Sequence, residues 1–217
     1  MNLRFPVLLV LLALCGCASA PDQADFGYLA LGASDAVGVG AVPLRSGYVF
    51  LIRDGVENDG RRVALMNLGI PDAEADDIAR VARLAPASQP DLITLWTGAN
   101  DIIEGVDPED FEDTLGDMLD RLRDDTDAVV VIGDLPDLTR LPRFLERPNP
   151  AVTSARVRAF NDAIERQGDR FDVPIARLSQ VDMLDELTSD IDGFHPNNEG
   201  HRMIAERFLE EIRTELD

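Results

Sequence analysis

Short, fully apolar runs alternate along this chain with longer stretches whose apolar residues recur every three or four positions, and few folds accommodate that alternation. The run Ala128 to Gly133 (A-V-V-V-I-G) contains no polar side chain. It is too short for a helix, and its β-branched, unalternating character fits a strand covered on both faces. Residues 27–32, Arg62 to Leu68, Leu92 to Thr97 and Val173 to Leu178 read as strands as well. Between them, Glu109 to Arg123 places Phe111, Leu115, Met118, Leu119 and Leu122 on one helical face. Ala73 to Ala85, Thr153 to Arg166 and Glu199 to Leu216 repeat that periodicity, and residues 43–60 hold a helical or irregular stretch around Tyr48 to Ile52. Strands separated by helices predict an α/β fold, with a parallel sheet between helical layers.

A chain of 217 residues suits one domain and can bury a core without disulfides. Its net charge of −21 opposes nucleic acid as a partner and opposes electrostatic docking on anionic lipid. All twenty cationic side chains are arginines, which excludes a Schiff-base lysine and a phosphate-loop lysine. Acidic pairs such as Glu109-Asp110 and Asp124-Asp125 read as solvated helix faces, and Asp54 to Gly60 lacks the ligand spacing of a calcium loop.

The first residues read as a targeting segment: Arg4, then the apolar run Phe5 to Leu14, then small residues. Leu14-Cys15-Gly16-Cys17-Ala18-Ser19 resembles a bacterial lipobox, with Cys17 as the residue to be lipidated. The expected organisation is a signal peptide over 1–17, a tether over 18–25 and the folded domain over 26–217. That would make the protein extracytoplasmic and membrane-anchored; cleavage after Ala18 or Ala20 would make it secreted. Both cysteines fall in this segment, so the domain has no thiol chemistry and no disulfide.

Polar residues gather where the predicted strands end. The first strand stops at Gly32, and the turn that follows carries Ser34. The second ends Asn67-Leu68-Gly69, where Gly69 is either a turn residue or a backbone N–H presented to a site. The third ends Thr97-Gly98-Ala99-Asn100-Asp101, where the Asn100 amide could cap the turn or donate to an oxyanion. Trp96 reads as core. Residues 134–150, with four prolines and Leu135, Leu138, Leu141, Phe144 and Leu145, could wall a groove or pack down on themselves. Asp192-Gly193-Phe194-His195-Pro196 precedes the last helix; a carboxylate three residues before a histidine in a turn can reach Nδ1 and leave Nε2 free as a base. His201, one turn into that helix, reads as exposed or packing.

Taken in order, Gly32-Ala33-Ser34-Asp35, Asn67-Leu68-Gly69, Gly98-Ala99-Asn100-Asp101 and Asp192-Gly193-Phe194-His195-Pro196 resemble the sequence blocks of the SGNH (GDSL-type) hydrolases. The resemblance spans about residues 26–210 and matches Ser34, Gly69, Asn100 and His195 to the four named residues of that family. It implies a flavodoxin-like α/β/α sandwich with five parallel strands ordered 2-1-3-4-5. It also implies an ester hydrolase working through an acyl-enzyme, with Ser34 as nucleophile, His195 as base and Asp192 orienting it. The oxyanion would be held by the Ser34 N–H, the Gly69 N–H and the Asn100 side chain, with no metal and no cofactor. The substrate expected is a lipid or small-alcohol ester, with residues 135–145 as acyl wall. The alternatives are an O-acetyl-glycan esterase and a non-catalytic glycan- or lipid-binding lipoprotein. One departure stands out: the family's first block has Asp before the serine and Leu after it, whereas this chain has Ala33 and Asp35.

Overall fold

Five parallel strands form one sheet in the order β2-β1-β3-β4-β5: β1 Phe26–Gly32, β2 Val63–Asn67, β3 Leu92–Trp96, β4 Val129–Gly133 and β5 Ile175–Ala176. These come from a computed structural model that describes residues 24–182 and 185–217. The expected signal peptide, Cys17 and most of the tether lie outside the described residues. The three inner strands are apolar along nearly their whole length because both of their faces are covered; Leu29, Leu31, Leu92, Ile93 and Val131 are fully buried. The edge strand β2 alternates instead, with Ala64 and Met66 facing solvent.

The connections are helical: α1 Ser34–Val37, α2 Tyr48–Asn58, α3 Ala75–Ala82, α4 Ala85–Ser88, α5 Ala99–Glu104, α6 Pro108–Asp125, α7 Pro142–Glu146, α8 Ser154–Phe171 and α9 Asn198–Leu216. α2 packs against α9, and α6 packs against α8 and α3. Helix α6 shows how sequence dictates these layers. Asp107 caps it by accepting the Glu109 N–H at 3.0 Å, Pro108 opens it, Glu109 and Asp110 occupy the positive end and Arg123 the negative end. All five predicted apolar residues are buried, and Phe111 stacks on Phe160 of α8 with ring centroids 4.5 Å apart. Each such side chain contributes about 1.5–3 kcal/mol by burial, so this face anchors the layer.

Three predicted segments are refined. The helix expected over 73–85 is interrupted between α3 and α4, where Leu84 turns outward and Pro86 opens the next turn. β5 shrinks to two residues because Pro174 has no N–H for the ladder and Leu178 begins a 3₁₀ turn. The segment 134–150 packs down: a 3₁₀ turn at Leu138–Arg140 and α7 bury Leu135, Leu138, Leu141 and Phe144, leaving Leu145 exposed.

Candidate active site

The C-terminal edge of the sheet carries the site, because β1, β3 and the segment before α9 all end there. β1 ends at Gly32, and Ser34 opens the single turn of α1, so its N–H has no intrahelical acceptor. The Ser34 side chain is largely shielded, with its hydroxyl turned to the histidine loop.

That loop is braced from within. Asp192 Oδ1 accepts the N–H groups of Phe194 and His195 at 2.9 and 3.0 Å, while Ser189 accepts the Gly193 N–H at 2.8 Å and donates its own N–H to the His195 carbonyl at 2.8 Å. Asp192 Oδ2 lies 2.5 Å from His195 Nδ1, and His195 Nε2 lies 2.8 Å from Ser34 Oγ. Burial works to raise the Asp192 carboxyl, but the His195 ring and the two backbone N–H groups outweigh it and hold it below its ordinary range. An ionised carboxylate only accepts, so Nδ1 carries the proton and Nε2 is left to accept from the Ser34 hydroxyl. Phe194 lies edge-on against the His195 ring at 4.9 Å and is backed by Phe144 at 5.8 Å. The apolar loop thus supports the base from behind.

Ser34 opens onto a small, shallow cleft bordered also by Asp35, Ala73, Thr97, Asn100, Leu135 and Phe194. Asn100 Nδ2 donates one proton to the Ala73 carbonyl at 2.9 Å, which leaves its second proton available to the cleft. The adjacent Asp101 accepts the Ala75 N–H through both oxygens at 3.1 and 3.2 Å, so consecutive residues at the end of β3 hold the start of α3 in place. Burial first, offset in part by that bond, pushes the Asp101 carboxyl up to about 6.

Gly69 is not where the sequence reading needed it. Its N–H donates to Asn67 Oδ1 at 2.9 Å, and the residue does not border the cleft. A Cβ there would come within 2.9 Å of Val37 N and 3.0 Å of Ala36 Cβ, so the glycine serves the close approach of this loop to α1. The oxyanion role expected for its N–H is corrected accordingly. His201 is fully buried: Nδ1 accepts the Tyr48 N–H at 3.2 Å and Nε2 donates to the Val39 carbonyl at 2.9 Å. Burial chiefly lowers its pKa to about 4, so it is a neutral packing residue rather than an exposed one. Trp96 is core as expected, its N–H donating to the Asp134 carbonyl at 3.0 Å, although one edge borders the cleft. The reading missed Ala73, whose carbonyl orients Asn100, and the place of Asp35 in the cleft; only Asp35 had left a signal, as a departure from the motif.

Residues 30–203 match the model of the GDSL-like lipase/acylhydrolase family. An arylesterase from Vibrio mimicus is 28% identical over 213 residues, covering 97% of this chain and all of that protein. Among solved structures, the psychrotrophic esterase EstA from Pseudoalteromonas sp., inhibited by monoethylphosphonate, superposes with a TM-score of 0.71 at 17% identity over 88% of this chain and 99% of its own. An acetyl xylan esterase, AlAXEase, gives a TM-score of 0.67 at 17% identity over 86% of this chain and all of its own. These two likenesses concern the fold.

Proposed function

Because this chain belongs to the GDSL-like lipase/acylhydrolase family and is a hydrolase acting on esters, we propose that it cleaves short-acyl carboxylic esters through an acyl-enzyme on Ser34. The observation that carries this reading is the hydrogen-bonded line from Asp192 to His195 to Ser34, at 2.5 and 2.8 Å. Ser34 Oγ attacks the carbonyl carbon as its proton passes to His195 Nε2. The tetrahedral oxyanion is met by the Ser34 N–H and the free proton of Asn100 Nδ2, two donors rather than three. Collapse breaks the bond to the alcohol oxygen, which takes the proton back from Nε2 and leaves. Water then attacks the acyl-serine, gives its proton to Nε2, and the serine departs with that proton. Asp192 stabilises the imidazolium throughout without itself being protonated.

A short acyl part fits the cleft, to which the 135–145 segment contributes Leu135 as its single wall residue. A second reading, removal of acetyl groups from a glycan, is favoured by the polar residues Asp35 and Asn100 along that cleft. The experiment is covalent labelling with a fluorophosphonate. Ser34 should be the labelled residue, Ser34→Ala should lose both label and turnover, and Asp192→Asn should lower kcat by several orders of magnitude. Undiminished hydrolysis by Ser34→Ala would refute the reading.

A further inference from the structure

We infer that Asp35 is a specificity-determining residue, whose carboxylate selects esters carrying a free hydroxyl close to the reacting carbonyl. This rests on the reading of Ser34 as nucleophile and goes on to name what the cleft recognises. Asp35 follows the nucleophile directly and borders the same cleft. Among the described residues no other residue donates a hydrogen bond to its carboxylate, and no arginine pairs with it. Thr97 lines that cleft too; it is 7% exposed and its Oγ1 has no partner. The Tyr48 hydroxyl, whose titration is opposed by burial and also by the charge of Asp35, has none either. Buried polar groups are ordinarily satisfied within the protein. Here a carboxylate that borders the cleft has no donor from another described residue, beside the serine that meets the substrate, while the Thr97 and Tyr48 hydroxyls are shut off from solvent behind it.

The chemistry of this pair sets the ligand. A carboxylate with open lone pairs accepts from a hydroxyl and penalises a hydrocarbon that would strip its remaining water. An acceptor without a donor of its own suits a hydroxyl-bearing group. The groups that face Asp35 are His195 and Asp192 from the histidine loop and Tyr48 from α2. Burial first, the His195 charge against it and the Asp192 charge with it leave the Asp35 carboxyl raised to about 6. Above that pH the acceptor is ionised and at full strength.

The test compares kcat/KM within pairs of esters, so that a general loss of activity cancels. Glyceryl monoacetate against ethyl acetate places the hydroxyl on the alcohol side; ethyl lactate against ethyl propionate places it on the acyl side. At pH 7.5 the wild-type enzyme should favour the hydroxylated member of one pair by about 10- to 100-fold. Asp35→Leu should bring that ratio close to one, Asp35→Asn should leave an intermediate ratio, and the wild-type ratio should fall as pH drops below about 6. The pair that responds identifies the side of the ester that Asp35 contacts. A ratio near one in the wild type, a ratio unmoved by Asp35→Leu, or a stronger preference for acetylcholine would overturn the assignment. Such results with Ser34 still labelled by the phosphonate would leave the hydrolase reading intact, whereas absent labelling with no turnover of any ester would sink that reading itself.

Discussion

Gly40 lies against His195 with no room for a side chain between them: a Cβ on Gly40 would stand 3.0 Å from His195 Cβ and 2.1 Å from the Pro196 carbonyl oxygen. Its φ of +91° also falls where only glycine is comfortable. The turn after α1 is therefore a backstop for the base, built from the same segment that carries the nucleophile. Gly40→Ala should push the ring off the Ser34 hydroxyl. A displacement of about 1 Å can cost roughly 100-fold, so kcat and the rate of phosphonate labelling should fall together by that order. Equal rates in the two proteins would show that the loop absorbs the change.

Asn100 and Gly69 should separate under substitution. Asn100→Ala removes an oxyanion donor and should lower kcat by about 10²–10³ with little change in KM. It also removes the bond to the Ala73 carbonyl, a loss of about 0.5–1.5 kcal/mol in stability. Gly69→Ala should instead act through packing, because its Cβ meets α1. Its melting temperature should drop, and any loss of kcat should come with it, because the Cβ presses on Ala33, Ala36 and Val37 around the nucleophile. A Gly69→Ala enzyme that keeps its melting temperature but loses turnover would restore Gly69 to the oxyanion site.

The legible and illegible parts of the molecule divide along a physical line. Periodicity reports what each face of an element touches, so the buried strands β1, β3 and β4 and the stripe of α6 could be read directly from the chain. It carries no information on where a short polar group points. Nothing in Asn67-Leu68-Gly69 says that the Asn67 amide will fold back onto the Gly69 N–H, since that bond depends on the angle at which the loop meets α1. The apolar residues of 134–150 looked available to a ligand because composition alone cannot show that Phe144 is spent on supporting Phe194. Ser34 was legible from its place just after a strand end, and Asp192 and His195 from their three-residue spacing and the family-like order of the blocks; the structure brings the three together.

Stability should depend on pH in opposite ways at two buried positions. His201 has its pKa lowered to about 4 from 6.5, so its contribution is full above about 6.5 and lost as pH falls toward 4. Asp101 is raised from 3.8 to about 6, so its contribution is full below about 4 and lost as pH rises through 6. In urea titrations the penalty of His201→Gln should shrink by about 3 kcal/mol between pH 7 and pH 4. Over the same range run upward, Asp101→Asn should improve relative to wild type by roughly 2 kcal/mol. Parallel pH profiles for wild type and both variants would contradict these assignments.

We propose that the enzyme works outside the cytoplasm on a lipid anchor at Cys17, in keeping with the lipobox-like Leu14-Cys15-Gly16-Cys17. Two or more acyl chains hold a protein to a bilayer where one does not. Cys17→Ser should move the protein from the membrane fraction to the soluble one. A wild-type protein already soluble, with its first residue after Ala20, would make it a secreted enzyme instead.

The order of the site along the chain has a consequence for biosynthesis. Ser34 stands at the end of the first strand, while Asp192 and His195 come just before the last helix. On the proposed mechanism, a chain synthesised from its N-terminus presents a nucleophile and an oxyanion donor long before it has a base. On that mechanism a product ending before Asp192 would lack both the base and the carboxylate that orients it. Turnover of a chromogenic ester would thus be a readout of a chain completed and folded through His195.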